Sequence, residues 1–167
     1  MLRLFFYGTL KRGFWNLDRF CRGVLDIRET EVRGRLYEMH TGIPVLQVPD
    51  GDILAHGTLD HLADVATKAR FSEQLAGIPP ELALQSATAS DWGRVYGELL
   101  TFDDRRHLPA IDRLEGVRPG GSSLYRRVLV PVCITGMAQS AWLYVGDSCL
   151  RPDLRLSSSG SWCRTNH

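Results

Sequence analysis

Apolar positions along the chain change their spacing several times, and each change predicts an element. The run Leu2–Tyr7 is apolar at nearly every position and stops at Gly8. It reads as a buried first strand. Lys11 to Asn16 reads as a loop, and Asn16 predicts the cap of a short helix through about Arg22, with Leu17 and Phe20 inward. Thr30–Met39 reads as a strand with Val32 among charged neighbours and Leu36-Tyr37 near its end. Gly42-Ile43-Pro44 is a turn into another strand, Val45–Val48. Asp50-Gly51-Asp52 carries a hairpin-type turn signal.

From Ile53 to about Trp92 the texture changes. Leu59, Leu62, Ala63, Val65 and Ala66 have partly helical spacing, continued by Phe71, Leu75 and Ile78. Pro79-Pro80 stops a helix, and Glu81 to Ala89 can restart one. This stretch is too short to hold its own core and reads as a helical excursion from a single domain. Gly57-Thr58-Leu59 echoes Gly8-Thr9-Leu10, but one shared tripeptide is no repeat.

Strand signals return at Arg94–Leu100, where the interior Gly97 marks a bulge or a close backbone approach. Asp103 or Asp104 then caps a helix on which Leu108, Ile111, Leu114 and Glu115 share one face. Gly116 is placed to end that helix, and Pro119 confirms the stop. Leu124–Ile134 and Gln139–Val145 read as two late strands about a turn at Gly136. The tail from Arg151 is Ser-rich and is expected on the surface.

Composition narrows the classes. Twenty Lys plus Arg against 19 Asp plus Glu leave a net charge of +1, which steers the chain neither to nucleic acid nor to an anionic membrane. The pairs Lys11-Arg12 and Arg126-Arg127 read as solvated surface. No apolar segment is long enough to span a bilayer. The apolar start is too short for a signal-peptide core, so a cytoplasmic location is the expectation. Cys21, Cys133, Cys149 and Cys163 form no C-x-x-C pair and read as reduced, mostly buried thiols. Cys149, Cys163 and His167 match no common zinc spacing, so no metal is expected. No heptad seam is present, and a monomer or weak homodimer is expected.

Two places carry candidate chemistry. Glu115 ends an amphipathic helix beside Leu114 and a helix-stopping glycine. A carboxyl there is partly desolvated, which raises its pKa toward the range of a general acid/base at neutral pH. Read alone, it is equally an exposed helix-end glutamate. The second place is the turn Tyr7-Gly8-Thr9-Leu10, whose consecutive backbone N–H groups can hold an anion or a developing oxyanion. Read alone, it is simply a strand that turns. His56, Asp60, His61 and Asp64 cluster in sequence, but His56 and His61 are five apart and do not share a helix face. They read as solvated or structural. Trp15, Trp92, Trp142 and Trp162 are dispersed and read as packing residues.

Taken in order, these pieces resemble the γ-glutamylcyclotransferase-like family, which includes AIG2-like proteins and γ-glutamylamine cyclotransferases. The resemblance rests on Phe6-Tyr7-Gly8-Thr9-Leu10-Lys11-Arg12-Gly13 with Asn16 following, Gly34-Arg35-Leu36-Tyr37 and Ile43-Pro44-Val45-Leu46. It continues through Val95-Tyr96-Gly97-Glu98-Leu99, Ile111-Asp112-Arg113-Leu114-Glu115-Gly116, Tyr125-Arg126-Arg127-Val128-Leu129-Val130 and Ala141-Trp142-Leu143-Tyr144. It implies an α+β fold, a small mixed β-barrel with flanking helices, in one domain over 1–167. The stretch at about 51–92 is then an atypical helical insertion, and about 147–167 a surface tail. The insertion is placed to lid the pocket or shape its leaving-group side, with Phe71 to Ala89 as the expected wall.

The resemblance also implies an activity. Glu115 would be the catalytic acid/base. Tyr7, Gly8, Thr9 and Leu10 would bind the γ-glutamyl group, and Tyr125 would be the pocket tyrosine. The substrate's own α-amine would attack the γ-carbonyl and release 5-oxoproline. A tethered nucleophile reaches effective molarities on the order of 10⁵ M or more, so no cofactor or metal is expected. The partner is a small γ-glutamyl molecule, with no nucleic acid or membrane. Two other readings of the same fold stand beside it: a non-catalytic binding or regulatory module, and an enzyme removing a γ-glutamyl protecting group in a biosynthetic pathway.

Overall fold

The computed structural model describes residues 1–83, 92–118, 122–146 and 154–162. In chain order its elements are β1 (Leu2–Phe6), α1 (Trp15–Phe20), β2 (Val24–Met39), β3 (Pro44–Gln47), β4 (Ala55–His56) and α2 (His61–Leu75). They continue with α3 (Pro80–Ala83), β5 (Gly93–Phe102), α4 (His107–Leu114), β6 (Tyr125–Ile134), β7 (Met137–Gly146) and β8 (Leu154–Leu156). The class is α+β.

The strands form one mixed sheet in the order β3-β2-β5-β1-β7-β6-β4, with β8 added to β2. The pairing of β1 with β7 is parallel, and the other described pairs are antiparallel. The sheet curls into a half-barrel. β1 lies near its middle and is covered on both sides, which is why its sequence is a continuous apolar run. Its side chains alternate between two clusters. Phe5 packs inside the curl with Leu36, Leu46, Leu99, Val130 and Leu143. Leu2, Leu4 and Phe6 pack outward with Leu100, Phe102, Trp142 and the inner faces of α1 and α4.

Several local expectations give way to packing. The first helix starts at Trp15, and Asn16 lies inside it rather than capping it. The Asn16 amide is drawn instead to Thr9, donating from Nδ2 to Oγ1 at 2.9 Å. β2 begins at Val24, six residues before the expected Thr30. Its early half, rich in Asp, Arg and Glu, packs only Val24 and Ile27 against the core and is held as a strand by pairing with β5. Asp50–Asp52 is a 3₁₀ turn, not a hairpin turn. Its Asp52 is drawn inward by a two-point ion pair with Arg33 at 2.7 and 2.9 Å.

Neither Asp103 nor Asp104 caps α4, whose N-cap is Arg106. Asp104 instead accepts from the Arg106 backbone N–H and side chain at 2.8 and 2.6 Å. The tail is not all surface. β8 pairs with the end of β2, and Trp162 is buried against Phe14. The restart expected over Glu81–Ala89 begins at Pro80, and its remainder, with Pro119, Cys149, Cys163 and His167, lies outside the described residues. Cys21 and Cys133 are free thiols. Among the described residues no helix is long and apolar enough to cross a membrane.

Gly97 marks a close approach. A Cβ there would collide with the Phe6 carbonyl and the Phe5 ring of the adjoining strand. Gly97→Ala should therefore cost about 1–3 kcal/mol, the usual range for overpacking. Urea unfolding measures it, and an unchanged midpoint would contradict the register.

Candidate active site

A cavity of about 970 Å³ opens between the end of β1, the β2–β3 turn, and the end of α4. The strand pair that makes its floor sets the first wall. β1 stops at Phe6, and the chain turns through Tyr7, Gly8, Thr9 and Leu10. The turn closes with the Lys11 N–H donating to the Gly8 carbonyl at 3.2 Å. A side chain at Gly8 would meet Pro44 Cγ at 2.9 Å, so only glycine lets this turn lie against the β3 entrance. The N–H groups of Gly8, Thr9 and Leu10 donate to no other described residue.

The turn is locked from behind. The Arg12 N–H and Nε both donate to the buried Glu98 carboxylate at 2.6 Å. Lys11 Nζ donates to the Trp162 carbonyl at 3.0 Å. The Tyr7 hydroxyl donates to the Tyr144 carbonyl at 2.8 Å and accepts from the Leu46 N–H at 3.3 Å.

The opposite wall is the end of α4. Leu108 and Ile111 are fully buried and fix the helix on the sheet. Gly116 takes φ +66°, the left-handed conformation that ends a helix cheaply only at glycine. This leaves Glu115 as the last helical turn's exit residue, lining the cavity. It keeps some exposed surface, yet protein surrounds the carboxyl. Burial first, and the charge of Asp112 second, raise its pKa from 4.5 to about 7. Burial, with Glu115's charge as a lesser cause, also pushes the Cys21 thiol up to about 12. That cysteine is no thiolate nucleophile.

Behind Glu115 lies a buried ionic cluster. Arg127 has no exposed side-chain surface and pairs with both Asp112 of α4 and Asp64 of α2. Asp112 also accepts from the Tyr144 hydroxyl at 2.7 Å, and His61 Nε2 lies 3.0 Å from it. Asp64 accepts from the Thr58 N–H and hydroxyl at 2.9 and 3.0 Å. The guanidinium lies 5.2 Å over the Trp142 ring. Each charge is thus hydrogen-bonded as well as paired, which offsets the cost of burying it, although the Arg127 Nε has no partner among the described residues.

The family model for γ-glutamyl cyclotransferase, AIG2-like, matches residues 4–74 and 80–164. The chain belongs to this family. Among solved structures, PH0828 from Pyrococcus horikoshii aligns at 18% identity and TM-score 0.54, over 97% of this chain and 90% of that one. YkqA from Bacillus subtilis aligns at 17% identity and TM-score 0.54. The chain is covered to 96% there but spans only 39% of YkqA. At such identities the likeness concerns the fold. No curated protein matches the sequence significantly.

In this AIG2-like chain the structure gathers Tyr7, Gly8, Thr9, Leu10, Glu115 and Tyr125 around one cavity. Three of them are engaged by protein through their side chains, Thr9 by the Asn16 amide. The Tyr7 hydroxyl is held as described, and the Tyr125 hydroxyl donates to the Pro44 carbonyl at 2.7 Å. What Tyr7 offers a ligand is therefore its backbone, and what Tyr125 offers is its ring. Burial is the first cause that raises both phenols above their ordinary values, so both remain neutral donors.

The stretch expected to wall the cavity from Phe71 onward is placed differently where it is described. No described residue of 53–83 lines this cavity, and 84–89 lie outside the described residues. The outer wall is built instead by Glu38–Pro44 and by Arg155 of β8. The described residues of this stretch contribute from behind, where His61 and Asp64 grip the cluster under α4. Among the described residues no three His, Cys, Asp or Glu side chains converge as metal ligands, and Asp60 of the His56–Asp64 run caps α2, accepting from the Leu62 and Ala63 N–H groups.

Glu98, Asp112 and Arg127 were missed as site-building residues. The Arg126-Arg127 pair reads in sequence as solvated surface, whereas the Arg127 side chain is fully buried. The available signal was a charged residue inside an otherwise apolar strand, at Glu98 and at Arg127.

Two expectations follow. Arg127→Met strands two buried carboxylates and should cost about 3–5 kcal/mol in urea unfolding; a loss below 1 kcal/mol would contradict the cluster. For Glu115 the folded protein retains a proton between pH 4.5 and about 7 that the unfolded chain has released. Its contribution to stability therefore falls as pH rises through that window. Glu115→Gln should match the wild-type melting temperature near pH 4 and exceed it at pH 8. A difference that does not grow with pH contradicts the raised pKa.

Proposed function

We propose that the chain is a cyclotransferase that releases 5-oxoproline from a γ-glutamyl amine or peptide. The observation that carries this reading is Glu115, raised to about 7, lining one cavity with Gly8, Thr9 and Leu10, whose N–H groups donate to no other described residue. An acid/base near neutrality and a set of oxyanion donors are what an intramolecular acyl transfer needs. Membership of the γ-glutamyl cyclotransferase family supports the same class.

The γ-glutamyl group sits against the Tyr7–Leu10 turn. Glu115, as carboxylate, takes a proton from the substrate's α-ammonium. The freed amine bonds to the γ-carbonyl carbon, and the carbonyl oxygen gains negative charge facing the turn. As the tetrahedral species collapses, Glu115 gives its proton to the leaving nitrogen and the bond to that nitrogen breaks, while the attacking nitrogen releases its remaining extra proton to the regenerated Glu115 carboxylate, which passes it to the departing amine. The products are 5-oxoproline and a free amine. The nucleophile is tethered, so orientation replaces a covalent enzyme intermediate.

Release of 5-oxoproline from γ-glutamyl dipeptides, γ-glutamyl-ε-lysine and glutathione tests the proposal. Wild type should turn over at least one of them, and folded Glu115→Gln should lose 10²-fold or more in kcat. The logarithm of kcat/KM should fall as pH drops below about 7, because the base form of Glu115 is lost there. No turnover by folded wild type, or full activity in Glu115→Gln, overturns it.

A further inference from the structure

One side chain beside the Tyr7–Leu10 turn holds a polar atom that the fold leaves unused. Asn16 lies in the first turn of α1 and is only 8% exposed. Its Nδ2 donates to Thr9 Oγ1 at 2.9 Å. Its Oδ1 is buried and accepts from no described residue. A buried acceptor without a partner is costly, so each such case calls for a reason.

The reason lies in where the amide is held. Asn16 and Thr9 both line the cavity that contains Glu115. Asn16 touches the turn through Thr9, and α1 lies against α4, the helix that ends beside Glu115. The amide is therefore tied to both walls of the cavity.

Thr9 supplies the opposite kind of group. A hydroxyl offers one donor and two acceptor positions. One acceptor position takes the Asn16 N–H, and the Thr9 O–H donates to no described residue. The pair thus leaves one acceptor, Asn16 Oδ1, and one donor, the Thr9 hydroxyl, for a ligand. Oδ1 has no surface open to solvent, so contact takes a small turn of the amide, a side-chain adjustment common at binding surfaces.

We propose that the Asn16–Thr9 pair reads the α-amino-acid head of the γ-glutamyl group. Asn16 Oδ1 accepts from the α-ammonium, and the Thr9 hydroxyl donates to the α-carboxylate. An ammonium has three N–H donors, so one given to Asn16 leaves another for Glu115. This recognition rests on the cyclotransferase reading, which puts a γ-glutamyl group in this cavity. It gives the choice of head group to two side chains, while the oxyanion stays with the backbone of the turn. An amide that only braced the turn would weaken every ligand alike when lost.

Three small ligands separate the contacts. L-glutamine carries the whole head on a γ-amide, glutaramate lacks only the ammonium, and γ-aminobutyramide lacks only the carboxylate. NMR titration of the full chain carrying Glu115→Gln measures their affinities without turnover. With Asn16 and Thr9 in place, L-glutamine should bind about tenfold or more tighter than either analogue, the scale of a hydrogen bond to a charged group. Adding Asn16→Ala should cut the preference over glutaramate about tenfold. Adding Thr9→Val, which keeps the side chain's shape, should do the same to the preference over γ-aminobutyramide, and it carries the test if Asn16→Ala fails to fold. Absence of saturable L-glutamine binding overturns the proposal. So do unchanged preferences in the folded variants, or equal weakening of all three ligands. Wild-type turnover with unchanged preferences leaves the reaction standing and removes only the role of the pair. Lost preferences in a chain that turns over no γ-glutamyl substrate uphold the pair and remove the reaction.

Discussion

A guanidinium with no exposed surface, Arg127, is the constraint on which the rest of the molecule turns. It rises from β6 and must find its counter-charges inside the protein, because an unpaired buried ion costs several kcal/mol. Asp64 and Asp112 supply them, one from each helix. That requirement fixes α2 and α4 relative to the sheet. It also leaves a carboxylate one helical turn before Glu115. The same cluster extends to the opposite wall of the cavity. Asp112 holds the Tyr144 hydroxyl, and the Tyr144 carbonyl holds the Tyr7 hydroxyl. The acid and the turn that faces it are therefore positioned by one connected set of hydrogen bonds.

This arrangement accepts a cost in stability at the place where chemistry is proposed. Glu115 is desolvated and stands near the charge of Asp112, and both raise its pKa. Arg127 does not relieve it directly, being engaged with the two aspartates. A carboxyl that is uncomfortable as an anion at neutral pH is one that gives and takes a proton readily there. The turn behaves in the complementary way. Its Gly8, Thr9 and Leu10 N–H groups donate to no other described residue, while its side chains and following loop are held by Glu98, Thr9–Asn16 and Trp162.

How much of this was legible follows from where the determinants lie. β6, β7 and β5 were readable to within a few residues, because each combines an apolar run with a clear stop. Glu115 and the Tyr7–Leu10 turn were readable because a helix with strong periodicity and a strand with an abrupt glycine announce their ends. The buried face of α2 was not. Its apolar Leu62 is exposed, whereas Asp64 and Lys68 are buried. Periodicity finds faces by hydrophobicity, and this helix is seated by an ion cluster instead. The early half of β2 failed for a related reason. Asp26, Arg28 and Glu29 offer no apolar face, and partner strand β5 decides their conformation. The β8 strand and buried Trp162 likewise depend on what the tail meets, which local sequence does not encode.

The central claim is that this fold holds one carboxyl near neutrality inside the cavity. Side-chain carboxyl ¹³C titration of the folded chain by NMR, with Glu115→Gln to assign the resonance, measures it directly. The account predicts a midpoint for Glu115 near 7, falling toward the ordinary value when Asp112 is replaced by Asn in a protein that still folds. A midpoint between 4 and 5 in the wild type would mean that water reaches the carboxyl freely, and the acid/base role assigned to it would not stand.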